Sequence, residues 1–187
     1  MKRSQINKAI TDAQNFFENN NWTLPPNPKW DVTDFGLGSF DSKGLVLINL
    51  ASEAEYCEKL MYAKLNQITP EHYHKNKKED IICRVGVLTV VLWNDITNTE
   101  TEVLKVQING EFVNINSGDE IVLQAGERVT VYPGQWHTFF PISTECIIGE
   151  VSTANDDLND NFFIDTEIGR YPEIEEDEPA LLRLLSE

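Results

Sequence analysis

Between Gly44 and Val151 the chain reads as a succession of short strands, and this limits the fold more than any other feature. The candidates are Gly44–Leu50, Lys59–Asn66, Ile81–Trp93, Thr101–Ile108, Glu111–Ile115, Glu120–Leu123, Arg128–Tyr132 and Glu145–Val151. They are rich in Val, Ile, Leu and Thr, which pack well on a pleated surface, and turn residues separate them. Asn109-Gly110 forms a two-residue hairpin signal, because both residues tolerate positive φ. Ser117-Gly118-Asp119 and Gln124-Ala125-Gly126-Glu127 mark further turns. Strands at roughly ten-residue spacing predict an all-β chain, an antiparallel sandwich or barrel of jelly-roll type.

The two ends differ from this middle. In residues 4–19, Ile6, Ala9, Ile10, Ala13, Phe16 and Phe17 recur at helical spacing, with Ser4 as the expected N-cap. The apolar face of that helix is expected to cover a sheet. Leu24-Pro25-Pro26-Asn27-Pro28 then breaks regular structure. From Asn155 to Glu178 ten residues are acidic and Arg170 is the one base. The same stretch holds Phe162, Phe163, Ile164, Tyr171, Pro172 and Ile174, which need somewhere to pack. It is expected to be a non-regular acidic segment lying on the barrel, with a short helix over Ala180–Leu185 after Pro179. The chain thus divides into an N-terminal helix and loop (1–30), a barrel (44–152) and a C-terminal segment (153–187), together one domain.

With 15 basic and 31 acidic residues the net charge is -16. A field of that sign repels nucleic acid and anionic membrane surfaces. No apolar run approaches the roughly 20 residues that cross a bilayer, and no signal-peptide core follows Met1. Cys57, Cys83 and Cys146 lie inside apolar runs and read as buried, unbridged thiols of a reducing cytoplasm.

The chain has three histidines. His72 and His74 are two apart, which on a strand places both rings on one face. Glu79 follows after a short turn, and His137 comes much later, after Pro133-Gly134-Gln135-Trp136. Three imidazoles and one carboxylate suit Mn²⁺, Fe²⁺, Co²⁺, Ni²⁺ or Zn²⁺ better than Ca²⁺ or Mg²⁺.

The spacing His72-x-His74-x4-Glu79-x6-Gly86, then Gly126-x6-Pro133-Gly134-x2-His137, resembles the two motifs of the cupin superfamily. Asn66 stands where the first motif usually has glycine, and Pro133 and Gly134 are adjacent where a residue often intervenes. Neither departure touches a ligand. Other segments resemble the D-lyxose isomerase family of cupins. They are Glu58-Lys59-Leu60, Thr69-Pro70-Glu71-His72-Tyr73-His74, Glu79-Asp80-Ile81-Ile82, Gly149-Glu150-Val151-Ser152, Asn155-Asp156-Asp157, Asp160-Asn161-x-Phe163 and Gly169-Arg170-Tyr171-Pro172. The resemblance implies a cupin-type jelly-roll β-barrel and a Mn²⁺-dependent aldose–ketose isomerase. It further implies D-lyxose/D-xylulose and often D-mannose/D-fructose as substrates, and a homodimer, to which the apolar helix is expected to contribute.

Aldose–ketose isomerisation moves a proton between C1 and C2 through an enediol, so it needs an electrophile, a base and a donor to the developing oxyanion. Glu150 is a carboxylate in the otherwise apolar run Ile147-Ile148-Gly149-Glu150-Val151 and is the candidate base. Lys59 is the candidate donor, and Arg170 the expected sugar contact from the tail. Asp80, Asp156, Asp165 and Glu167 are the expected substrate-binding carboxylates, with Asp165 and Glu167 capping the sugar beside Arg170. Trp93 and Trp136 are candidates for an apolar wall, while Lys75, Lys77 and Lys78 read as solvent-facing. An iron-dependent cupin oxygenase, a sugar-phosphate isomerase on the same barrel and a non-catalytic sugar-binding cupin are the competing readings.

Overall fold

A computed structural model describes every residue except Thr99, Thr101, Asp157, Leu158 and the stretch 169–172. The chain begins with α1 (Arg3–Asn19), followed by β1 (Lys29–Thr33), a short α2 (Phe40–Lys43), β2 (Leu45–Ser52) and β3 (Tyr56–Lys64). Next come β4 (His72–Tyr73), β5 (Glu79–Val85), β6 (Val87–Trp93), β7 (Val103–Ile108), β8 (Glu111–Asn116) and β9 (Glu120–Gln124). The chain then runs through β10 (Arg128–Val131), β11 (Trp136–Pro141), β12 (Glu145–Thr153) and β13 (Phe162–Phe163).

The strands make two antiparallel sheets, one of eight strands in the order β1-β2-β3-β12-β5-β10-β7-β8 and one of five in the order β13-β4-β11-β6-β9. The sheets face each other as a jelly roll, and among the described residues hydrogen bonds do not join them into a closed ring. One apolar core lies between them, built from Cys83, Leu88, Val90, Leu92, Val129, Ile148 and their neighbours. A second lies outside the large sheet, where Ile6, Ile10, Ala13 and Phe17 of α1 pack on Trp30, Val46, Ile48, Leu60 and Ile147. The helix therefore turns its apolar face toward its own sheet.

Several expectations are corrected. The run 81–93 is not one strand. Gly86 at φ +92° turns the chain from β5 of one sheet into β6 of the other. A Cβ at Gly86 would meet Ser143 Oγ at 2.5 Å and the Glu145 carbonyl at 2.6 Å, so the corner requires glycine. Ser4 is not the N-cap. The chain is extended to Lys2, which bridges to Glu175, and the Lys2 N–H donates to Gln5 Oε1 at 3.0 Å. Ser4 instead donates to Asp177 through its N–H and hydroxyl. Residues 180–185 form no helix. Six residues are too few to hold a helix unaided, and their donors go to tertiary partners: Leu181 N–H to Asn7 Oδ1 and Leu185 N–H to the Trp30 carbonyl. Asn109 and Gly110 do close a hairpin, between β7 and β8, with φ of 52° and 88°. Asn66 takes φ 74°, filling by left-handed conformation the place of the motif's glycine. Among the described residues no helix is long and apolar enough to cross a membrane.

Candidate metal and sugar site

The site forms where the small sheet faces the middle of the large one. β4 pairs with β11 so that His72 and His137 are direct cross-strand partners. His74 follows two residues on, and Glu79 opens β5 opposite them. The His72 and His137 ring centroids are 4.0 Å apart, with His74 at 5.1 Å from His72 and 5.3 Å from His137.

Each ring is fixed through Nδ1. His72 Nδ1 meets the Pro70 carbonyl at 2.8 Å, His74 Nδ1 the Asp160 carbonyl at 2.7 Å, and His137 Nδ1 the Gln135 carbonyl at 3.2 Å. A carbonyl only accepts, so these contacts assign the proton to Nδ1 and leave the Nε2 lone pair pointing inward. Burial, then His137 and His74, push the His72 imidazole well below its usual pKa and keep it neutral.

Glu79 Oε1 stands 2.9 Å from His137 Nε2 and 3.3 Å from His74 Nε2. Yet both Nε2 atoms are buried without a hydrogen-bond partner. Lone pairs of two imidazoles converging on a carboxylate oxygen repel unless a cation sits among them. The three histidines form the metal-competent group of the described residues, with donor atoms within 4.8 Å of one another. The donor set fits a divalent transition ion.

Beside this group runs a buried chain of charges. Lys77 Nζ lies 2.6 Å from Glu79 Oε2 and 3.0 Å from Glu150 Oε1. Lys59, directly across from Glu150 in the β3–β12 register, reaches the same Oε1 at 3.4 Å and Asn155 Oδ1 at 3.0 Å. Burial alone would lower the Lys77 pKa, but Glu150 and Glu79 outweigh it and hold the ammonium charged. Burial likewise pulls the Glu79 carboxyl up, and the charge of Lys77, the largest opposing cause, keeps it well below the usual range.

These groups open into a cleft of about 750 Å³, counting its mouth. Asp31, Thr33, Lys59, Glu150 and Asn161 supply its polar wall, and Phe35, Met61, Phe139 and Phe163 its apolar wall. Phe163 lies 5.4 Å from the His72 ring and 6.1 Å from Phe35.

The structure thus brings together His72, His74, Glu79, His137, Lys59 and Glu150. It does not bring Asp80, Asp156, Asp165 or Glu167 to the cleft. Strand alternation turns Asp80 to the outer face when Glu79 faces in, and there it accepts from Thr130 Oγ1 at 2.6 Å and pairs with Arg128 at 3.5 Å. Asp156 is exposed and accepts from the Asn159 N–H. Asp165 and Glu167 are exposed and share a local turn, Glu167 N–H to Asp165 Oδ1. Arg170 lies outside the described residues, so its expected sugar contact rests on sequence alone. Trp93 packs beside Gly118 and Trp136 beside Tyr73, and phenylalanines take the wall expected of them. Lys77, expected in solvent, is 4% exposed. Its signal was its position in the turn between two ligands, His74 and Glu79. Asn161 and Phe163 stood in a segment resembling the family but without a role read for them, and Asp31 gave no signal. Cys57, Cys83 and Cys146 are buried and unbridged, as expected.

Residues 28–187 match the family described as D-lyxose isomerase. A D-lyxose/D-mannose isomerase of Escherichia coli O157:H7 is 35% identical, with 100% of this chain and 98% of that protein covered. A D-lyxose/D-mannose isomerase of Thermosediminibacter oceani is 30% identical, with 94% and 99% covered. The structure of Cellulomonas parahominis L-ribose isomerase superposes with a TM-score of 0.72 at 16% identity, over 94% of this chain and 98% of that one. That likeness bears on the fold, while the family match and the full-length relatives settle kinship: the chain belongs to the D-lyxose isomerase family and is an isomerase.

Proposed function

We propose that the protein interconverts free aldoses and ketoses in a metal-dependent reaction, D-lyxose/D-xylulose first and D-mannose/D-fructose second. The observation that carries this reading is Glu150, a buried carboxylate in the cleft, joined through Lys77 to Glu79 beside three inward-facing imidazoles. The names of the full-length relatives support the choice of sugars.

In this reading His72, His74, Glu79 and His137 hold a divalent ion, Mn²⁺ first, with Co²⁺, Fe²⁺, Ni²⁺ or Zn²⁺ able to replace it. When bound, such an ion polarises the sugar carbonyl and orients the two reacting oxygens. Glu150 takes the proton from C1 or C2 and returns it to the other carbon, passing through the enediol. Two ammonium groups on its Oε1 fix the carboxylate's direction, and Lys59 is placed to donate to a sugar oxygen. Asp31, Thr33 and Asn161 match hydroxyls, while Phe35 and Phe163 exclude water from the enediol. Both cleft lysines are already paired with carboxylates, which favours a neutral sugar over a sugar phosphate.

The whole chain serves as one catalytic unit, and its buried, unbridged thiols fit a reducing cytoplasm. It works as a homodimer. The outer face from β12 to β8, which α1 leaves uncovered, carries exposed Val103, Phe112 and Val151 beside Lys105, Arg128 and Asp80. A two-fold copy meets that mix of charges with its own complement. Light scattering at micromolar concentration should give twice the 21.3 kDa chain mass, reduced towards one chain in Phe112→Asp. A monomeric wild type would contradict the dimer.

The activity is tested by supplying purified protein and Mn²⁺ with a panel of aldoses while ketose and dissolved oxygen are followed. Ketose without oxygen uptake is expected. Oxygen consumption with Fe²⁺ and no ketose would assign the same ligands to an oxygenase.

A further inference from the structure

Asp160 belongs to no strand, yet it is 5% exposed and its carboxylate takes several hydrogen bonds. Its carboxylate accepts from the backbone N–H of Lys75 at 2.8 Å, of Asn76 at 3.1 Å to each oxygen, and of Lys77 at 2.9 Å. The Asn76 side-chain amide adds a contact of 3.2 Å. The Asp160 backbone carbonyl meanwhile takes the His74 Nδ1 at 2.7 Å.

One residue therefore grips both ends of the turn 74–77, the ring of an inward-facing histidine and the backbone of the lysine that joins Glu79 to Glu150. Three successive N–H groups converging on one buried carboxylate make a charge-assisted clamp that a neutral side chain does not reproduce. The next residues, Asn161 and Phe163, line the cleft. The start of the acidic C-terminal segment is thus built into the site's floor and wall.

We propose that Asp160 is a positioning residue of the catalytic site: by clamping the turn 74–77 it sets the affinity of the histidine group for its divalent ion and the placement of Lys77. The proposal rests on the reading that His72, His74 and His137 hold such an ion. A group that orients a ligand without touching the ion typically changes metal affinity by about 10- to 100-fold when lost. Asn at this position keeps the backbone carbonyl and the side-chain size but removes the charge and turns an amide toward three donors.

The test is a Co²⁺ titration, followed by visible absorption, of wild type, Asp160→Asn and His137→Ala, with near-ultraviolet circular dichroism reporting the fold. Asp160→Asn is expected to keep the wild-type fold and bind Co²⁺ about 10- to 100-fold more weakly. Wild-type affinity in folded Asp160→Asn would overturn the proposal, while His137→Ala binding Co²⁺ like wild type would overturn the ion reading beneath it. If Asp160→Asn does not fold, hydrogen exchange of the wild type decides. Co²⁺ should then slow exchange in the turn 74–77 and in 159–163 together, because coupling between two sites is reciprocal. Slowing in the turn alone would overturn the clamp.

Discussion

Lys77 Nζ lies 2.6 Å from Glu79 Oε2 at a point where both side chains are almost wholly buried. The contact ties a candidate metal ligand to the candidate base, because the same ammonium reaches Glu150 at 3.0 Å. In the proposed reading, this one side chain would join the ion site to the proton-transfer group.

Replacing Lys77 by Met keeps the volume and leaves two buried carboxylates without their shared cation. Removing one partner of a buried ion pair costs about 3 kcal/mol or more. Urea unfolding of Lys77→Met should show that loss together with reduced turnover. A change below about 0.5 kcal/mol would mean the chain of charges does not support the fold.

Glu150→Gln preserves shape and removes the proposed base. Its kcat should fall by about 10²- to 10⁴-fold with metal content near wild type, and its melting temperature should fall as well, because Lys59 and Lys77 lose a buried counter-charge. Asp80→Asn, on the outer face, should stay within about twofold in kcat/KM, a change of under 0.5 kcal/mol. Equal losses in the two variants would sink the assignment of Glu150.

The junction of the chain ends should be acid-sensitive. Arg3 bonds to Glu176 and Glu187 and holds both carboxyls below their usual range, and Ser4 does the same to Asp177. A depressed carboxylate pKa stabilises the fold above the unfolded value, and that contribution is lost as pH falls through the folded value. Melting temperature should therefore drop below about pH 4 in wild type, and less steeply in Arg3→Met. Parallel curves would show that the junction does not contribute.

The thiols supply a check on packing. All three cysteines are fully buried, so the native protein should not react with a thiol reagent over minutes, whereas unfolded protein should yield three thiols. Rapid reaction of any thiol in the native state would contradict the core described above.

What the sequence disclosed was set by range. The Asn109-Gly110 hairpin and the apolar stripe of α1 are local and were legible. The histidines were legible because three in a chain, two of them separated by one residue, leave few ways to be used. The break at Gly86 was not, since apolar residues continue on both sides of the corner, and the positive φ and the packing of Ser143 and Glu145 that demand glycine arise only in the fold. Lys77 was hidden because its partner Glu150 is 73 residues away and its neighbours are lysines that face water. Asp160 was hidden for the same reason, its clamp acting across more than 80 residues on backbone groups that no side-chain pattern reveals.

The central claim, a metal-dependent sugar isomerase, is tested most directly by assaying chelator-stripped protein on D-lyxose before and after Mn²⁺ is restored. The stripped protein should form no D-xylulose, and Mn²⁺ should restore turnover in wild type but not in His137→Ala. Undiminished D-xylulose formation by protein shown metal-free by elemental analysis would contradict the account.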